Sequence, residues 1–156
     1  MVDLRKLSFG GPAAIVTSMA LIVGLDAATV TKATVIGSLL IIALADNLTD
    51  SLSIHIYQES ERLAERQAFR NTVANFFTRL LIAFSFVAIL FFSQMPVAVY
   101  ACVIWGFFLL SGLSYLLAKE RGAAVFPEIF KHSVIAFIVI AGSKVIGAWI
   151  GILEPA

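Results

Sequence analysis

The sequence has little charge, one cysteine and no catalytic signature, and each of these absences excludes a class of function. Only 13% of its 156 residues are charged and the formal net charge is +1, so nothing favours nucleic acid or an acidic substrate as a partner. The single cysteine, Cys102, excludes an internal disulfide and a cysteine-rich metal cage. There is no HExxH, CxxC or glycine-rich phosphate motif. We therefore expect neither an enzyme nor a permanently bound cofactor.

Apolar side chains, in contrast, are abundant. They make up 60% of the chain, against about 45–50% in soluble domains, and the mean hydropathy is +0.98. This composition predicts an integral membrane protein that is surrounded by membrane lipid, and we expect it in the cell membrane of a prokaryote. The short basic start is followed by no cleavage site, which predicts that the first helix is retained.

Five apolar stretches are long enough to be membrane helices. Crossing the hydrocarbon core takes roughly 20 mainly apolar residues, and segment length separates helices from strands here. We predict an all-α polytopic membrane protein that forms a single transmembrane domain over residues 1–156. Its five spans are predicted at about 9–25, 33–57, 72–92, 96–118 and 133–153.

Lysine and arginine are unequally distributed between the two sides that this topology defines. Eight of them fall on one side, namely Arg5, Lys6, Arg62, Arg66, Arg70, Lys119, Arg121 and Lys131. The other side has only Lys32. Because positively charged loops stay in the cytoplasm, the distribution predicts a cytoplasmic N-terminus and a C-terminus outside.

The second predicted span carries carboxylates where the chain is otherwise apolar. Asp46 and Asp50 follow the stretch VIGSLLIIAL, and insertion of an acidic residue at a helix centre costs ~2.5–3.5 kcal/mol, so water, a cation or a partner must compensate them. At about 100° per residue, several polar residues share this face or its shoulder. They are Asp46, Asn47, Asp50, Ser53, Tyr57 and Glu61. Oxygen ligands of this kind suit hard divalent cations, which predicts a cation route along the helix.

The same aspartates also permit a purely structural interpretation. Lys144 is near the middle of the fifth span at a depth similar to that of Asp46, and Arg79 is a second, shallower candidate partner. One cation cannot neutralise two carboxylates, so pairing with Lys144 leaves one aspartate in need of water, a metal or a proton. His55 lies on the side away from the aspartates and is not included in the site. A cation pathway and a structural polar cluster both remain open.

Two stretches, LSFGGPAAIVTSMALIVGLDAATV and LADNLTDSLSIHIYQESERLAER, resemble the vacuolar iron transporter family over about the first 65 residues. The resemblance implies five transmembrane helices and transport of ferrous iron or manganese. The chain departs from the family pattern at ligand positions: the first-helix aspartate of the family falls on Ala13 and its second-helix methionine on Ile54. The family glutamate falls on Gln58, or on Glu59 in the neighbouring register. Altered selectivity and loss of transport are therefore both open.

We thus expect a divalent cation transporter of the iron or manganese type, with Fe²⁺ or Mn²⁺ as its cargo. The cation would enter at Glu61, pass Tyr57 and Ser53, and be held by Asp50, Asp46 and Asn47. Lys144 would neutralise the empty site, and these residues also permit proton exchange. We expect a homodimer, because so few helices enclose a polar path poorly alone. The alternative is a non-transporting membrane scaffold or partner subunit in which Lys144 and an aspartate join the second helix to the fifth.

Overall fold

The structure, a computed structural model, describes residues 10–60, 65–95 and 97–153, and this part of the chain is entirely α-helical apart from short connections. Its five helices are α1 (Gly11–Ala27), α2 (Lys32–Ser60), α3 (Glu65–Phe92), α4 (Val97–Arg121) and α5 (Val125–Leu153). They confirm the predicted all-α class. α3 and α5 begin several residues before the predicted spans, because hydropathy marks the part of a helix that suits lipid and not the polar turns that continue it into water.

Four of the helices are long and apolar enough to cross a membrane. The corresponding segments are Lys32–Gln58, Phe69–Phe92, Val97–Arg121 and Val125–Leu153. α1 is also apolar but has 17 residues, which gives a length of about 26 Å at ~1.5 Å per residue. Several apolar helices of this kind identify the chain as an integral membrane protein.

α1 is the centre of the helix bundle and contacts each of the other four helices. Its core-facing side chains include Ile15, Met19 and Ile22, which are almost completely buried. They are spaced four and three residues apart and therefore share one face of the helix. Pro12 lies in the first turn, where its missing N–H removes no helical hydrogen bond. The apolar core is thus built around the first helix.

α2 and α3 form the most extensive helix pair, and they run antiparallel. Lys32, at the start of α2, donates from Nζ to the carbonyl oxygens of Phe91 and Ser93 at the end of α3, at 3.1 and 2.8 Å. This contact fixes which residues face each other along the pair, and it brings the middle of α2 against the middle of α3. Within the described ranges α2 and α5 make no contact with each other, because α1 lies between them.

α1 and α5 pack much more closely, through glycines. A Cβ atom placed on Gly147 of α5 would collide with the carbonyl oxygen of Gly24 in α1, and one on Gly151 would lie 3.4 Å from the carbonyl oxygen of Ala27. Such an approach of two backbones requires small residues at the contact. The two sides of the bundle are therefore held by different means, side chains on one and backbone contact on the other.

Candidate functional site

The candidate site is centred on Arg79, near the middle of α3. Its side chain is 1% exposed, and its Nε donates to Oδ1 of Asn47 at 2.8 Å. Its two terminal nitrogens form ion pairs with Asp46 and with Asp50, one each. The aspartates are four residues apart on α2, so both point to the same side of that helix and reach one guanidinium. We call Asp46, Asn47, Asp50 and Arg79 the arginine cluster.

The arginine cluster has one more carboxyl group than cationic groups, and both carboxyl groups lie on its open side. The guanidinium is buried, whereas the side chains of Asp46 and Asp50 are 43% and 40% exposed. The carboxylates can therefore be approached from outside the monomer while their counter-ion is enclosed by the helices.

The start of α1 closes the cluster on a further side. The carbonyl oxygen of Gly10 accepts a hydrogen bond of 3.4 Å from Nη1 of Arg79. A Cβ atom on Gly10 would lie only 2.6 Å from Cδ of Arg79, so this approach needs a residue without a side chain. Beside Asp46 a small cavity, bordered by Thr17 and Ser18 of α1, has about 10 Å³ for the centre of a water molecule. That is room for about one water next to the carboxylate.

The predicted site residues separate into three groups in the structure. Asp46, Asn47 and Asp50 lie together at Arg79. Ser53 and Tyr57 lie on the exposed side of α2, where Ser53 donates to the carbonyl oxygen of its own helix at Thr49 and Tyr57 is 56% exposed. Glu61 lies outside the described residues.

Lys144 is not the partner that the structure gives to the aspartates. It lies exposed on α5, a helix that does not contact α2 within the described residues, and both aspartate ion pairs are made by Arg79. Lys144 and Asp46 were predicted to lie at a similar depth in the membrane. Similar depth does not bring the two side chains together, because α1 separates their helices. The predicted ion pair between the second and fifth helices is therefore wrong, and the aspartates of α2 are paired with α3 instead.

A row of buried polar residues between α2 and α3 was missed by the sequence analysis. We call Asn47, Ser51 and Gln58 of α2, with Asn71 and Asn75 of α3, the polar seam; Asn71 is half-buried and the others are at most 7% exposed. The signal was present in the third span, where asparagine, asparagine and arginine recur every four residues at 71, 75 and 79. The face of α2 that contacts α3 includes Asn47, which lies about 100° from Asp46 on the helical wheel.

Several polar atoms of this seam have no hydrogen-bond partner in the described part of the protein. They are Nδ2 of Asn47, Oγ of Ser51, Oε1 of Gln58, Oδ1 of Asn71, and both amide atoms of Asn75. Leaving such a group buried and unsatisfied costs about 1–3 kcal/mol, which is why native proteins almost always supply a partner or an ordered water. The seam therefore contains more polar atoms than the described residues satisfy with hydrogen bonds.

A preformed multidentate metal cage is not present in the described residues, where no group of three or more histidine, cysteine, aspartate or glutamate side chains is arranged to hold a metal ion. Among the described residues, the carboxylates at the arginine cluster are those of Asp46 and Asp50. A cation there would complete its shell with neutral oxygens, such as Oδ1 of Asn47, and with water.

No family model matches the chain, and no curated protein or solved structure matches it. The function of the arginine cluster therefore has to follow from its own geometry and chemistry.

Proposed function

We propose that this protein is a divalent cation transporter of the iron or manganese type, in which Asp46 and Asp50 hold the cation and Arg79 occupies them when no cation is bound. One observation carries the proposal. Two partly exposed carboxylates share a single buried guanidinium near the middle of a membrane helix, so negative charge remains where a cation can reach it. Ionisable groups at such depth are by default candidates for a functional site, and ion pathways are among the functions that they serve.

Arg79 then sets how tightly the cation is held. A guanidinium does not release its proton, so a cation gains the carboxylates only by sharing them with Arg79 or by displacing it. The proton exchange that the predicted site with Lys144 permits is therefore not expected from Arg79. Competition by a fixed positive charge weakens binding, and transport requires a site from which the ion can also leave.

Membrane topology is part of the proposal. We propose that α1 crosses the membrane with the other four helices, that the N-terminus is cytoplasmic and that the C-terminus is outside, on the basis of eight basic residues against one. A reporter enzyme fused after Ala156 is expected to be active only outside the cell. Cytoplasmic activity of the same fusion would refute the five-span arrangement.

A second copy of the chain is expected to cover the open side of the arginine cluster. The side chains of Asp46 and Asp50 are about two-fifths exposed, and lipid cannot solvate a carboxylate. A homodimer in the cell membrane of a prokaryote would shield the exposed side of the carboxylates from lipid. Fe²⁺ and Mn²⁺ are the proposed cargo because the first 65 residues resemble the vacuolar iron transporter family.

Cation flux into proteoliposomes tests the proposal directly. Fe²⁺, Mn²⁺, Zn²⁺ and Ca²⁺ should be compared, and Asp50→Asn is expected to abolish the flux of the preferred ion because asparagine keeps the size but not the charge. Asp46→Asn should impair it. Asp26→Asn, the same chemical change at the end of α1, should leave flux intact. Normal transport by both cluster variants would remove the assignment.

The alternative is a non-transporting membrane scaffold or partner subunit. It is supported by four hydrogen bonds from the three nitrogens of Arg79, which reach Asn47, Asp46 and Asp50 of α2 and Gly10 before α1. In that case wild-type protein carries none of the four cations, although the same Arg79 contacts are needed for assembly.

A further inference from the structure

We infer that the polar seam between α2 and α3 holds a file of water molecules that leads from the Ser60 end of α2 to the arginine cluster. Water in this seam, and not the exposed side at Ser53 and Tyr57, would connect the aspartates with the aqueous phase. Such water would be present in each monomer, whichever cation the protein carries. Its consequence for the path of a cation rests on the proposed function.

The unpartnered atoms recur along the length of the seam. Asn47, Ser51 and Gln58 follow one another at four and seven residues on the face of α2 that meets α3, and the first to the last spans about 16 Å at ~1.5 Å per residue. Asn71 and Asn75 are spaced one turn apart on α3. A file of waters needs such a series of polar side chains within reach of one another.

The chemistry of these atoms matches water. The unpartnered set contains amide N–H donors at Asn47 and Asn75, amide carbonyl acceptors at Gln58, Asn71 and Asn75, and the hydroxyl of Ser51, which both donates and accepts. Buried water usually makes about three hydrogen bonds to otherwise unsatisfied polar groups. Lipid chains have neither donors nor acceptors, so within the membrane only water or protein can satisfy the seam.

The two ends of the seam differ in what lies beside them. At the arginine cluster, a cavity with room for about one water touches Asp46 and Asn47, but it extends toward Leu39 and Ala83 and away from Gln58. At the other end, Asn71 is half-buried, and α3 continues toward its start with the exposed side chains of Arg70 and Arg66. Water can thus reach the seam from the end at which the charged residues lie.

The exposed side of α2 differs in a way that argues against it as the wet path. Ser53 donates to the carbonyl oxygen of Thr49 at 3.0 Å, and Thr49 donates to that of Ala45 at 2.9 Å. Hydroxyl groups that bond back to their own helix need no water and are compatible with lipid. Ser53 and Thr49 are thus satisfied within their own helix, whereas the seam contains buried polar atoms that have no partner among the described residues.

Radiolytic hydroxyl-radical labelling tests the inference, because an X-ray pulse generates radicals from water that is already inside the protein. In a Cys102→Ala background, Ser51→Cys in the seam is compared with Leu52→Cys, the neighbouring residue on the exposed apolar side, both in lipid nanodiscs. Oxidation of the cysteine is followed by mass spectrometry. Ser51→Cys is expected to be oxidised several-fold faster, and equal or slower oxidation would overturn the water file.

A second pair of variants covers the case in which Ser51→Cys does not fold. Asn75→Cys on α3 is compared with Phe77→Cys, which lies exposed two residues further along the same helix. Labelling does not depend on transport, so a chain that carries no cation can still show a hydrated seam. A labelled seam without flux contradicts the proposed function alone, whereas flux without labelling contradicts the water file alone.

Discussion

The α2–α3 side and the α1–α5 side of this bundle are held together by opposite kinds of contact. On the α1–α5 side, Gly24 and Gly147 bring the two backbones so close that no side chain fits between them. On the α2–α3 side, Arg79, Asn47 and Asp50 fill the space between the helices with charge and amide groups. The first is a close contact of two backbones; the second is polar, with several side-chain atoms unsatisfied among the described residues.

This difference follows from how helices associate in lipid. Apolar side chains gain nothing by leaving lipid for another apolar helix, so close backbone packing and polar pairing are the two means that remain. Close packing fixes one arrangement, whereas a polar contact with unsatisfied atoms can accept water or an ion. The α1–α5 side is therefore expected to provide stability and the α2–α3 side function, although Arg79 contributes to both.

Removing Arg79 should have the largest effect on the polar side. Arg79→Met leaves Asp46 and Asp50 without their counter-ion, and the loss of one partner of a buried ion pair costs about 3–5 kcal/mol, which we expect near the lower bound because the carboxylates are partly exposed. The loss should appear as a lower midpoint of thermal unfolding in detergent. Adding Asp46→Asn and Asp50→Asn should restore part of it.

Lys144→Met is the matched control, since it replaces a cation by the same apolar residue on a helix that α2 does not contact in the described structure. Its unfolding midpoint should stay near that of the wild type. A larger loss for Lys144→Met than for Arg79→Met would show that the pairing predicted from depth along the sequence is the one that matters.

The glycine contact should be broken by a single methyl group. In Gly147→Ala the new Cβ would collide with the carbonyl oxygen of Gly24, and overpacking of this kind typically costs about 1–3 kcal/mol. Gly142→Ala, on the same helix, has no atom within 4 Å of its new Cβ and is expected to be neutral. Size-exclusion profiles after stepwise heating compare the two. Equal midpoints would mean that α1 and α5 can separate without loss.

The sequence predicted the helices far better than it predicted their neighbours. A span at 33–57 and a helix at Lys32–Ser60 agree because hydropathy and length are local properties. Asp46 and Asp50 were recognisable as polar residues at membrane depth, but the choice between Lys144 and Arg79 depends on which helices touch. No local pattern contains that information: α1 separates α2 from α5, and only the three-dimensional arrangement reveals it.

The polar seam was missed for a related reason. A helical wheel centred on Asp46 selects the residues on the charged face of α2. The face that contacts α3 instead includes Asn47, Ser51 and Gln58. Neutral amides at one-turn spacing on α3, at Asn71 and Asn75, were the available signal that the second helix had a polar partner. These asparagines predict a polar helix contact only when the sequences of α2 and α3 are considered together.

Asn75→Leu gives the smallest effect on stability and separates the roles of the two sides most sharply. Both amide atoms of Asn75 lack a hydrogen-bond partner in the described protein, so leucine removes no protein hydrogen bond, although the end of its side chain lies against Gly10. We expect the free energy of unfolding to change by less than about 1 kcal/mol, or to rise, because replacing an unsatisfied polar group by an apolar one is close to neutral.

Cation flux should nevertheless fall in Asn75→Leu, since an apolar side chain interrupts the polar seam next to the arginine cluster. Phe77→Leu, an exposed change two residues away, should alter neither flux nor stability. A large loss of stability in Asn75→Leu would mean that the asparagine has a structural partner, and the seam would then resemble the tightly packed α1–α5 side. Unchanged flux with unchanged stability would instead direct the cation to the exposed side of α2, where Ser53 and Tyr57 lie.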